Sequence, residues 1–98
     1  MKGKFIRGAY QLAENVTDLD AFMQEHGDAA KGLIDWADDN DIMMRCGTSD
    51  DNCFLCEYKI IRSTVAGCKG MRSELRHEIK ARFPKAKEAW YGLGDQLF

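Results

Sequence analysis

The sequence predicts a mainly α fold: a small single domain spanning residues 1–98, built as a bundle of four to six short helices. Three observations lead there. Met71, Leu75, Ile79 and Phe83 recur every four residues, the spacing that gathers apolar side chains into one helical stripe. Thr17, followed by Asp18 and Asp20, offers a cap and first-turn carboxylates suited to the positive end of a helix dipole. Ser49-Asp50-Asp51-Asn52 strings together capping residues just before an apolar run.

Taken in order, residues 4–14 place Phe5, Ala9, Leu12 and Ala13 at helical intervals, although Gly8 and the Phe5-Ile6 pair also allow a strand. Leu19, Phe22, Met23 and His26 then share a face, and Gly27 is a natural stop. Asp28 caps the next helix, in which Ala30, Leu33, Ile34 and Ala37 face inward. The Gly-Asp junction predicts a tight corner between two packed helices. With Lys31 as the only cation on the second, this corner is a poor DNA reader. Asp38-Asp39-Asn40-Asp41 reads as a solvated helix end, because a calcium loop's Gly and distal Glu are missing. Ile42-Met43-Met44 is a short apolar run. Beyond it, Phe54, Leu55, Tyr58, Ile61 and Val65 fit a helical stripe, while Ile60, Ile61, Thr64 and Val65 permit a strand. The alternative fold is therefore α+β, with a small two-stranded element around residues 42–65. Ala66–Gly70 reads as a break. Pro84 ends the Met71–Phe83 helix, and a last helix carries Ala89, Trp90 and Leu93.

Apolar residues make up 45% and charged residues 31%, an ordinary globular balance. No targeting segment is visible, and nothing approaches the roughly 20 apolar residues of a spanning helix, so a cytoplasmic chain without a membrane partner is expected. In that compartment thiols stay reduced. The net charge of −2 hides a segregation. Residues 14–57 carry 12 acidic side chains against Lys31 and Arg45, whereas residues 58–98 carry nine basic ones against four acids.

The four cysteines follow C-x6-C-x2-C-x11-C. A C-x2-C pair brings two thiolates within reach of one metal. A site using all four is disfavoured, because a helix from Cys56 to Cys68 would separate them by roughly 18 Å. Cys46, Cys53 and Cys56, with His77 as fourth ligand or else His26, Asp50 or Asp51, are the metal candidates, for zinc or an iron–sulfur centre. The first three resemble the opening spacing of the iron–sulfur loop in helix-hairpin-helix DNA glycosylases. That resemblance covers three residues and no fold, and implies no function. Cys53-Phe54-Leu55-Cys56 would also suit thiol redox chemistry at a helix N-terminus, although Asp50 and Asp51 oppose a thiolate there. The simplest reading makes the thiols small core residues.

Two surfaces remain. Asp35, Asp38, Asp39, Asp41, Asp50 and Asp51 form the candidate acidic surface. Lys69, Arg72, Arg76 and Lys80 form a basic stripe along the Met71–Phe83 helix, with Trp90 and Tyr91 near enough to stack on bases. No catalytic triad, phosphate-cradling glycine loop or readable carboxylate pair appears. The sequence thus predicts a non-enzymatic binding protein that works through protein–protein contacts, an inhibitor or adaptor of the kind mobile elements or phages encode. The alternative is a metal-stabilised module touching nucleic acid, and the third reading is a CxxC redox protein.

Overall fold

Residue types that cap helices also make turns, and in this chain the run Ser49–Asn52 does so, which changes the architecture. The computed structural model describes residues 2–97, with side chains described for 3–92. It contains β1 (Lys2–Ala13), α1 (Leu19–Asp39), β2 (Ile42–Thr48), β3 (Phe54–Arg62), α2 (Val65–Arg82) and β4 (Lys87–Leu97). The strands form one antiparallel sheet in the order β2-β3-β1-β4. Each helix links two strands that have a third lying between them, the ferredoxin-like split βαβ arrangement. The fold is α+β. The helical bundle is overturned, and the two-stranded alternative falls short by half a sheet.

In β3 the reason is a clean period of two. Phe54, Cys56, Tyr58 and Ile60 are buried, and the residues between them are more exposed. Ser49–Asn52 makes the β2–β3 turn: the Asn52 amide donates to the Ser49 carbonyl at 3.0 Å, and the Cys53 amide donates to the Ser49 hydroxyl at 3.3 Å. Asn52 takes a left-handed φ of 58°, a conformation Asn tolerates. In β1, Ile6, Tyr10 and Leu12 turn inward, and Gly8 lets the chain pass the sheet's own side chains. A Cβ at Gly8 would meet the Tyr58 hydroxyl oxygen at 2.5 Å and the Trp90 carbonyl oxygen at 2.7 Å. In β4 the register skips one residue, pairing Ala9 with Trp90 but Tyr10 with Glu88. This bulge at Ala89 breaks the alternation, so the segment expected as a last helix is a strand. Leu93, expected there as an apolar contact, lies outside the described side chains.

The helices also differ from expectation. α1 runs unbroken for 21 residues with Gly27 inside it, and no corner forms. An interior glycine costs about 1 kcal/mol, less than abandoning a face that buries Ala30, Leu33 and Ala37. Asp18 caps it by accepting from the Ala21 amide at 3.1 Å. α2 begins at Thr64, whose hydroxyl accepts from the Gly67 amide at 3.0 Å. The apparent break at Ala66–Gly70 is therefore the first turn of α2. Leu75 and Ile79 reach 0% exposure, in one cluster with Ile6, Tyr10, Leu33, Phe54, Cys56 and Ile60. Both helices cover the same face of the sheet. The other face is open.

Candidate functional site

The cysteines do not assemble a metal centre. Cys46 and Cys56 stand directly opposite each other in the β2–β3 register, with Cα atoms 4.1 Å apart, and are joined by a disulfide. Two of the three candidate thiolates are thereby consumed, and this corrects the zinc or iron–sulfur expectation. Cys53 precedes β3, with its Sγ 3.8 Å from the Asp51 carbonyl oxygen, and His77 is exposed on α2. Among the described residues no group of three His, Cys, Asp or Glu side chains is placed to hold a metal. Cys53 lies before β3, whereas Cys56 is on the strand and bonded to Cys46, so the two are not a redox pair. Cys68 is buried in α2, its Sγ 3.3 Å from the Lys4 carbonyl oxygen. The chain turns back at Ser63-Thr64, a reversal the sequence reading did not locate.

The acidic candidates divide. Asp35, Asp38, Asp39 and Asp41 gather at the C-terminal end of α1, while Asp50 and Asp51 sit in the turn at the far end of β2. An open groove of about 930 Å³ runs from Ile34, Asp35 and Asp38 of α1 past the β2 edge at Met43 and Arg45 onto the sheet, where Arg7, Glu57 and Lys59 line it too. The last turn of α1 holds no basic residue to offset the helix dipole.

The basic candidates on α2 divide too. Lys69 and Arg76 are exposed. Arg72 instead bonds the Glu88 carboxylate and lies 4.0 Å over the Tyr91 ring, and Lys80 donates to the Ala86 carbonyl. Beside Arg72, the Tyr10 hydroxyl donates to Glu88 at 3.1 Å. Burial and the adjacent Glu88 carboxylate push the Tyr10 ionisation up to about 12 from 10.0. Burial raises Tyr58 as well, against the opposing Arg72 charge, and the Tyr58 hydroxyl and Arg72 Nε are buried without a hydrogen-bond partner. A phenol raised in this way stabilises the fold fully below its unfolded value of 10.0 and loses that contribution as pH climbs through about 12. The thermal midpoint should therefore fall between those limits, and Tyr10→Phe should make the fall shallower; an unchanged profile in the variant would exclude Tyr10 as its source.

His26 lies inside α1, not at a helix end, with its ring 4.8 Å from Phe22 and 6.1 Å from Phe83. It borders a smaller pocket of about 470 Å³, lined also by Leu12 and Arg82. Ion pairs Glu14–Lys87 and Glu78–Arg82 already offset the charges at its rim.

The open face of the sheet is what the sequence reading missed. Register places four rows of side chains on it, reading from β4 to β2. Phe5 neighbours Ile61. Gly92, Arg7, Lys59 and Met43 form the next row, and Trp90, Ala9, Glu57 and Arg45 the one after. Lys87, Gln11, Leu55 and Gly47 complete it. Trp90 and Met43 are 49% and 55% exposed, large apolar groups held in solvent. Lys59 Nζ rides 5.0 Å from the centre of the Phe5 ring. Among the described residues four cations, Arg7, Lys59, Arg45 and Lys87, thus share the face with one carboxylate, Glu57, and Lys87 pairs with Glu14 at its margin, in a chain whose total charge is negative. Among the described residues neither Arg7 nor Arg45 joins an ion pair.

Among the described residues, no helix is long and apolar enough to cross a membrane. Comparison with known proteins adds little. No family model matches the chain, and no curated protein matches it. Among solved structures it is similar to the de novo designed protein Foldit4, with a TM-score of 0.46 and 8% identity over 100% of this chain and 99% of that one, a likeness too low to carry an argument.

Proposed function

We propose that this chain is a small non-enzymatic binding module whose working surface is the open face of its sheet. One observation carries the reading: Phe5, Arg7, Met43, Arg45, Lys59 and Trp90 stand together on a face that no helix covers. Exposed aromatic and arginine side chains are those that interfaces favour. The test is capture from the native host by wild-type protein and by Arg7→Glu/Trp90→Ala. The variant should keep the wild-type thermal midpoint and lose the captured partner. Retention by a folded variant would overturn the reading.

A second reading keeps the protein partner expected from the sequence, acting as inhibitor or adaptor at the β2 groove. Carboxylates clustered at the negative end of a helix dipole cost stability, and a cationic segment docked there would relieve that cost. The free edge of β2 also offers unpaired backbone groups to an added strand. In the same capture experiment, loss in Asp35→Lys/Asp38→Lys with retention in the sheet variant selects this reading instead. As to location, the Cys46–Cys56 disulfide weighs toward an oxidising compartment and against the expected cytoplasm. A thiol count on protein taken directly from its host decides between them.

A further inference from the structure

We infer that the open sheet face binds single-stranded nucleic acid, with Phe5 and Trp90 as stacking platforms and Arg7, Lys59 and Arg45 as phosphate contacts. The inference rests on the sheet-face reading and names its partner.

Charge complementarity is the first argument. Arg7 and Lys59 are direct cross-strand neighbours on this face, and like charges placed opposite each other destabilise a sheet. Glu57 is the only carboxylate in the grid, and it lies in the adjacent row beside Arg45. Among the described residues the face therefore holds more positive charge than its own carboxylate neutralises, although Asp35, Asp38 and Asp41 line the groove at the β2 edge together with Arg7, Arg45 and Lys59. A polyanion supplies what is missing, and a strand of phosphates supplies it repeatedly along one direction.

Aromatic placement distinguishes among polyanions. Trp90 sits opposite Ala9, four residues along β1 from Phe5, so the two backbone positions stand roughly 14 Å apart by strand geometry. Between them lies Gly92, where even a Cβ would meet no atom within 4 Å. Gly92 therefore adds no bulk between the platforms, and Arg7 stands beside it on β1. Stacking on Trp90 and the half-buried Phe5 ring requires bases freed from a duplex. The Lys59 ammonium over Phe5 is at the end of a flexible chain. A base seated on that ring moves it toward the adjoining phosphate.

The α2 stripe serves as the internal contrast. Arg72 and Lys80 are held by Glu88 and the Ala86 carbonyl, so Lys69 and Arg76 lack a continuous track.

The experiment measures fluorescence anisotropy with labelled oligo-dT and oligo-rU, at salt rising from about 50 to 200 mM. At least one oligonucleotide should be retained at low salt, and comparison of the two separates DNA from RNA. Arg7→Glu/Lys59→Glu should weaken binding at least about tenfold and flatten its salt dependence. Phe5→Ala/Trp90→Ala should weaken it by about tenfold or more while leaving the salt dependence unchanged. Lys69→Glu/Arg76→Glu should do far less than the sheet-face reversal. Failure to retain either oligonucleotide at the lowest salt overturns the inference. So does duplex DNA bound equally well and indifferent to the aromatic substitutions. If the sheet-face variant still loses a captured host protein while oligonucleotides are ignored, the inference falls and the sheet-face reading stands. If neither changes, both fall.

Discussion

Replacing Cys46 and Cys56 with alanine, or reducing the wild-type protein, is expected to lower the thermal midpoint by on the order of 10 °C. The disulfide closes a loop of sequence separation 10, for which chain entropy gives about 2–3 kcal/mol of stabilisation. In a domain of this size each kcal/mol moves the midpoint by roughly 4–8 °C. The two residues already face each other in the β2–β3 register, so the gain acts mainly on the unfolded chain. Alanine is preferable to serine at position 56, where exposure is 0% and an unpaired hydroxyl would add its own cost. A thiol assay on the denatured but unreduced protein should find Cys53 and Cys68 free, and reduction should release the remaining pair. A midpoint indifferent to reductant would show that the bridge contributes nothing.

The second large effect belongs to the helical layer. Leu75→Ala should cost about 2–5 kcal/mol, because Leu75 is 0% exposed at the centre of the α2 stripe and its loss leaves a cavity. Domains have a total stability of about 5–15 kcal/mol, so the variant should unfold at far lower denaturant. Met71→Ala, on the same stripe but half-buried, provides the comparison and should cost much less. Denaturant unfolding with an unchanged slope would establish that the loss is one of packing. Equal losses at the two positions would contradict the burial gradient along α2.

The α2 stripe was legible because its four-residue spacing is set by the helix alone, and Leu75 and Ile79 are buried as that spacing implies. β3 was legible only in part. The β-branched cluster Ile60, Ile61, Thr64 and Val65 allowed a strand, but the period of two in Phe54, Cys56, Tyr58 and Ile60 was masked by a competing helical stripe and by the polar run Ser49–Asn52. Asn and Ser satisfy neighbouring amides in a hairpin turn as readily as at a helix start, and the choice is made by strands elsewhere in the chain. β4 hid behind its bulge, which puts Trp90 and Tyr91 out of step with Glu88. The disulfide was illegible for a different reason. Its partners are set by register, and C-x2-C spacing draws attention to Cys53, which points elsewhere. The open face depended on the same missing fact. Arg7, Lys59 and Arg45 are far apart in sequence and meet only once β1, β3 and β2 are aligned.

The central position of β1 also dictates the order in which the sheet can be assembled. This strand is the first made, yet its neighbours are β3 and β4, paired as far apart in sequence as Lys2 with Leu97. During synthesis Ile6, Tyr10 and Leu12 emerge with no partner strand and stay uncovered until most of the chain has followed. Such distant pairings slow folding and leave an adhesive strand exposed in the meantime. The β2–β3 hairpin forms locally. The most vulnerable moment of this protein therefore comes before β4 exists, when half of its central strand pairing is still unwritten.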